Sequence, residues 1–132
     1  MNRLALTVLV AALALPAAAA EPMSAAEFEA YVTGRTLTYN SGGTPYGAEQ
    51  YLKNRRVRWA FLGDDCVEGE WFESGGMICF VYENNIDPQC WSFEKGLSGL
   101  IARFRNDPEA TQLYEARQTD EPLLCLGPKV GA

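Results

Sequence analysis

Few side chains in this sequence could do chemistry. Histidine, the usual general base near neutral pH, is absent from all 132 residues. Paired carboxylates occur at Asp64-Asp65 and at Glu68-x-Glu70. The first pair follows Gly63, where aspartate supplies the local hydrogen bonds of a turn. The second pair alternates along an extended segment and falls on its polar face. A hydrolase working with such carboxylates ranks third among the functions considered. Asp64, Asp65 and Glu68 could offer oxygens to calcium, but the spacing is not that of an EF-hand loop. No Gly-x-Ser-x-Gly is present, and Ser98 precedes Gly99 in a turn context. The expectation is a protein that is not an enzyme, with no catalytic residue, no metal and no cofactor.

Cys66, Cys79, Cys90 and Cys125 complete the reactive set. An even number in a small exported chain reads as two disulfides. Zinc would need closely spaced Cys-x-x-Cys or Cys/His pairs, and neither is present. Three connectivities are possible. Export is expected because Met1-Asn2-Arg3 is followed by an apolar run from Leu4 to Leu15, then Pro16 and Ala18-x-Ala20. These are the three regions of a cleavable signal peptide. The run is shorter than the roughly 20 residues that span a bilayer. Glu21, not a cysteine, follows the cut, so no lipid attachment is expected. The expected division is a signal peptide over 1–20 and a single disulfide-stapled domain over 21–132, periplasmic or secreted, monomeric, and without a membrane span.

The formal net charge is −6, and loss of Arg3 with the leader makes it one unit more negative. Nucleic-acid binding draws its affinity from neutralised phosphates, so nucleic acid is excluded as a partner. The basic run Lys53-Asn54-Arg55-Arg56-Val57-Arg58 could hold an anion or an acidic surface. It reads more simply as a turn followed by outward arginines that pair with glutamates across strands.

The elements that must position all this begin with a helix. Ser24 and Glu27 have capping-box spacing, Phe28, Tyr31 and Val32 share one face, and Gly34 ends it. From Arg35 the pattern changes to short runs of aromatic and β-branched residues between Gly, Asn, Asp and Pro clusters. Eight strands are expected at about 35–40, 45–52, 55–62, 66–72, 77–83, 90–95, 98–105 and 111–118. The turns include 63–65, 73–76, 84–88 and 106–108, and the tail after Glu121 reads as irregular. The connections are too short for crossover helices, which excludes a parallel sheet. A 63–65 turn would set Phe61 against Val67, Trp59 against Gly69, Val57 against Trp71 and Arg58 against Glu70. Ile78, Phe80 and Tyr82 then share a face with Trp71, and Trp91, Phe93, Leu100, Ala102, Phe104, Leu37 and Tyr39 can join them. The cysteines fall on the other face. Cys79 and Cys90 flank one hairpin, which favours Cys79–Cys90 and leaves Cys66–Cys125 to pin the tail. The fold class is mainly β: a small antiparallel up-and-down meander forming an eight-stranded barrel with one short N-terminal helix. An open, strongly bent sheet is the alternative.

The segments Cys66-Val-Glu-Gly-Glu-Trp71, Ile78-Cys79-Phe80-Val81-Tyr82-Glu83 and Pro88-Gln89-Cys90-Trp91 carry a resemblance over roughly residues 33–105. The chain resembles a group of small exported proteobacterial proteins known as a domain of unknown function. There a Gly-x-Trp strand precedes a cysteine-bearing strand and a second cysteine closes the hairpin. The resemblance implies a periplasmic address and no particular activity. By fold alone the pattern is similar to lipocalin-like and avidin-like barrels, and to small periplasmic barrels that inhibit lysozymes or proteases.

Two binding readings follow. Trp59, Phe61, Trp71, Phe80, Tyr82 and Trp91, with Phe93, are expected to face one interior. In a barrel of this size such residues either fill the core or line a cavity for one small ligand. The partner would then be a small apolar molecule or envelope component. The alternative is a protein-binding module, such as an inhibitor of an envelope-attacking hydrolase. It would act through the exposed loops 41–46 and 84–88, with Tyr46 and Ile86 as contacts.

Overall fold

The computed structural model describes residues 13–14, 21–107 and 112–125. The expected signal peptide, apart from Leu13 and Ala14, lies outside them. So do Pro108 of the expected 106–108 turn and the end of the tail. One helix, α1 (Ala25–Val32), precedes eight strands: β1 (Thr36–Ser41), β2 (Thr44–Tyr51), β3 (Arg56–Phe61), β4 (Val67–Ser74), β5 (Met77–Tyr82), β6 (Asn85–Gly96), β7 (Gly99–Phe104) and β8 (Gln112–Thr119). Each strand pairs antiparallel with the next, and β8 pairs with β1, so the sheet is a closed barrel. Among the described residues no helix is long and apolar enough to cross a membrane.

Alternation fills the interior. Leu37 and Tyr39 of β1, Val57 of β3, Trp71 of β4, Ile78 and Phe80 of β5, Phe93 of β6, Leu100 and Ala102 of β7, and Leu113 of β8 form one buried cluster. Helix α1 closes one end of the barrel. Its capping box forms in both directions, with the Glu27 amide donating to Ser24 Oγ and the Ser24 amide to Glu27 Oε2. The fully buried Phe28 reaches inward and meets the rings of Tyr51, Trp71 and Phe93 at 5.6, 5.2 and 4.4 Å. The Met23 amide donates to the Phe93 carbonyl at 2.6 Å, which ties the start of the helix segment to β6.

Two disulfides join Cys79 to Cys90 and Cys66 to Cys125. The first bridges directly opposed residues of β5 and β6. The second brings the tail back to the start of β4. The tail also lies along β1 and β2, where Thr36 Oγ1 donates to the Glu121 carbonyl and the Leu123 amide to Gln50 Oε1.

The β3–β4 register differs from the expected one by two residues. Trp59 opposes Val67, Val57 opposes Gly69, and Arg56 opposes Glu70. The connection is longer than a three-residue turn because residues 62–66 all lie outside the strands, with Cys66 held by its disulfide. A shift of two preserves the inward face, so the interior set survives while the partners change. Arg58 pairs with Glu68, Nε to Oε1 at 2.6 Å, rather than with Glu70. The glycine that makes room for Trp59 is Gly47, not Gly69. A Cβ at Gly47 would lie 2.6 Å from an indole carbon of Trp59. Gly69 makes the same room for Tyr82, whose ring would lie 2.6 Å from an added Cβ.

A second correction concerns residues 84–88. β6 begins at Asn85, opposite Tyr82, so the hairpin turns tightly at Glu83-Asn84 and Ile86 to Pro88 are strand. The basic run is structural where its contacts are resolved. Lys53–Arg55 form a 3-10 turn. Arg55 bonds Glu29 of α1 at 2.8 Å and stacks over Trp71 at 4.4 Å, which fastens the helix to the barrel.

Candidate functional site

The helix occupies one end of the barrel. The other end carries the connections at 42–43, 62–66 and 83–84 and leads into a cavity of about 300 Å³. Eight strands make a cylinder whose interior is either just filled by side chains or holds one small ligand. Here the half near the helix is filled, by Phe28, Trp71 and Ile78 among others, and the half away from it is not.

Five of the six aromatic residues singled out from the sequence line this space: Trp59, Phe61, Phe80, Tyr82 and Trp91. Trp71 does not. It is buried against Phe28 in the filled half, with Arg55 over its ring. Tyr46 is a residue of β2 on the cavity wall rather than a free loop contact. With Trp59 and Phe61 it forms a cluster near the mouth, ring centroids 5.3–5.9 Å apart. Phe61 is 47% exposed at this rim, and Ile86 projects outward at 84% exposed.

The wall also carries polar groups: the amides of Asn84, Asn85 and Gln89, the tyrosine hydroxyls, and one carboxyl outside the expected set. Glu49 of β2 points inward and is 2% exposed. Its Oε1 accepts a hydrogen bond from the Tyr82 hydroxyl at 3.0 Å, and its Oε2 has no partner. Beside it the hydroxyls of Tyr39 and Tyr51 bond each other at 2.8 Å, both buried. The signal for Glu49 was its parity. It lies two residues from Tyr51 and opposite Trp59, and both of those face inward.

Electrostatics here follows from burial. Desolvation pushes the Glu49 carboxyl well above its ordinary value of 4.5, opposed only in part by the Tyr82 hydrogen bond. Desolvation likewise raises Tyr39, Tyr51 and Tyr82, so their hydroxyls stay protonated. A carboxyl that binds its proton more tightly when folded makes the native state lose stability as pH rises above the unfolded value, until the folded group also ionises. Glu49→Gln is therefore expected to be more stable than wild type near neutral pH. It should also show a weaker loss of stability between about pH 5 and about pH 8. Urea midpoints at the two pH values check this, and an unchanged slope would contradict the inward placement of a titrating Glu49.

The carboxylate pairs do not meet in the cavity. Asp64 and Asp65 are exposed in the β3–β4 connection, and Glu68 is engaged by Arg58 on the outer face. Among the described residues no group of three or more His, Cys, Asp or Glu side chains is placed to hold a metal ion. The class that fold and site define is a closed eight-stranded barrel with an aromatic cavity at one end. No known protein family, curated protein or solved structure matches the chain.

Proposed function

We propose that this protein is a non-enzymatic binding protein of the periplasm that holds one small, largely apolar molecule in its barrel. The observation that carries the reading is the aromatic cavity of about 300 Å³ at the end of the barrel that the helix leaves free. Ligand pockets begin at about this size, and they join mostly apolar walls to a few fixed polar groups. Trp59, Phe80, Tyr82 and Trp91 supply the walls, and Glu49 supplies the polar point. Two disulfides fit an oxidising compartment. The exposed Ile86 favours the other reading, a protein-binding surface, and the same experiment separates the two.

The test is native mass spectrometry on protein purified gently from the compartment to which its own host exports it. A mass above the oxidised chain is expected, and it identifies the ligand. Val67 lines the cavity opposite Trp59 and is half-buried. Val67→Trp should fill the mouth and remove the adduct while leaving the thermal transition within a few degrees of wild type. An adduct retained in full by Val67→Trp would place the molecule elsewhere on the protein. A bare chain after incubation with envelope extract would move the function to Ile86 and a protein partner.

A further inference from the structure

Glu49 is the one acidic side chain on the cavity wall, and no lysine or arginine lines the cavity among the described residues. The three ion pairs of the described residues, at Glu29, Glu68 and Glu94, do not involve it. A buried polar atom without a partner is rare, because leaving it unpaired forfeits its hydration without return. Tyr82 donates to Oε1, one of the Tyr39 and Tyr51 hydroxyls donates to the other, and Oε2 has no partner. The rings of Trp59, Phe80 and Tyr82 line the same cavity, and aromatic faces attract positive charge. Asn84, Asn85 and Gln89 add neutral amides to the wall, which thus offers one carboxyl and several aromatic rings to a cation, and no basic group to an anion.

We propose that the cavity takes a small organic amine, its ammonium group paired with the Glu49 carboxylate and its apolar body against the aromatic walls. The inference rests on the cavity reading above and names the chemistry of its ligand. Burial raises the Glu49 carboxyl well above its ordinary value and so favours its protonated form. The groups that feel its charge are the hydroxyls of Tyr39, Tyr51 and Tyr82, all protonated, with Glu115 acting more remotely on Tyr39. When the ammonium arrives, the carboxyl O–H bond breaks and the proton leaves to solvent. The carboxylate then accepts the ammonium N–H, and the ligand keeps its charge. Net negative charge on the chain favours the approach of a cation.

The probes are 2-phenylethylamine and 2-phenylethanol, which differ in the group that would meet Glu49. Isothermal titration is run on the full mature protein in two buffers of different ionisation enthalpy. The amine is expected to bind at least about tenfold more tightly than the alcohol, as a charge-assisted hydrogen bond warrants. It should also release protons at pH values where the buried carboxyl is still protonated. In Glu49→Gln, folding being checked by circular dichroism, the preference should fall to near one and the proton release should vanish. The wild-type comparison stands even if that variant fails to fold. Equal affinities, or tighter binding of the alcohol, would overturn the amine inference and leave the cavity reading intact. Binding of neither probe by folded wild type would overturn both.

Discussion

Phe28→Ala is expected to cost about 3–5 kcal/mol of folding stability. Phe28 is fully buried and in ring contact with Tyr51, Trp71 and Phe93, which come from β2, β4 and β6. One side chain therefore ties three sides of the cylinder to the helix. An eight-residue helix has almost no stability of its own in water, so α1 exists through docking. Its other attachments include Val32, the Met23–Phe93 hydrogen bond, the Tyr31 hydroxyl donating to Glu115 at 2.8 Å, and the Arg55–Glu29 pair. The last is partly exposed, and exposed pairs contribute little. Truncation would leave a void among three large rings that a barrel wall cannot collapse to fill. Urea denaturation followed by far-ultraviolet circular dichroism measures the loss. A cost below about 1 kcal/mol would mean that the helix covers the barrel without supporting it.

Replacing Cys66 and Cys125 together by serine should cost about 4 kcal/mol, and replacing Cys79 and Cys90 about 3 kcal/mol, on the chain-entropy account. The difference follows from sequence separations of 59 and 11. The longer loop contains β4 to β8 entire, so its bridge shrinks the unfolded ensemble most. The tail it holds also makes hydrogen bonds to β1 and β2 that have little reason to persist once it is released. A fall of about 15–25 °C in Tm is expected for the Cys66/Cys125 pair, and a smaller one for the hairpin pair. The reverse ranking would show that strain or residual structure, rather than loop closure, governs this protein.

Much of this architecture could be read from residue order because the informative segments obey simple periods. Ser24 and Glu27 announce the helix start, and the even-numbered Ile78, Phe80 and Tyr82 announce an inward face. Cys79 then falls outward beside Cys90, and the disulfide pattern follows. The β3–β4 register was not legible, because Gly63-Asp64-Asp65 looks like a complete turn. The connection runs on through Cys66, which lies outside β4 and is held by Cys125. Gly69 meets Tyr82 rather than Trp59 because the β3–β4 register shifts. Glu49 was missed at a place where alternation is interrupted. The β1–β2 pairing shifts between Tyr39 and Asn40, so that Tyr39 opposes Gly47 and Asn40 opposes Pro45. Counting by twos from Tyr46 through this irregularity puts Glu49 outside, whereas counting back from Tyr51 puts it inside. The aromatic wall could be anticipated because large apolar side chains seek burial whatever the register. The polar point within it could not, since an acidic residue in a strand ordinarily faces water.

The seam between β1 and β8 sets a timetable for the molecule. Every other pair of adjacent strands is consecutive in the chain, whereas Thr36 must find Thr119. Local hairpins form quickly, and contacts between distant segments form late. A partly assembled chain can therefore hold seven strands in order and still be an open ribbon, with both of its borders unpaired. Only the arrival of the eighth strand turns that ribbon into a vessel with an inside. The capacity to hold anything therefore depends on that one long-range seam being closed.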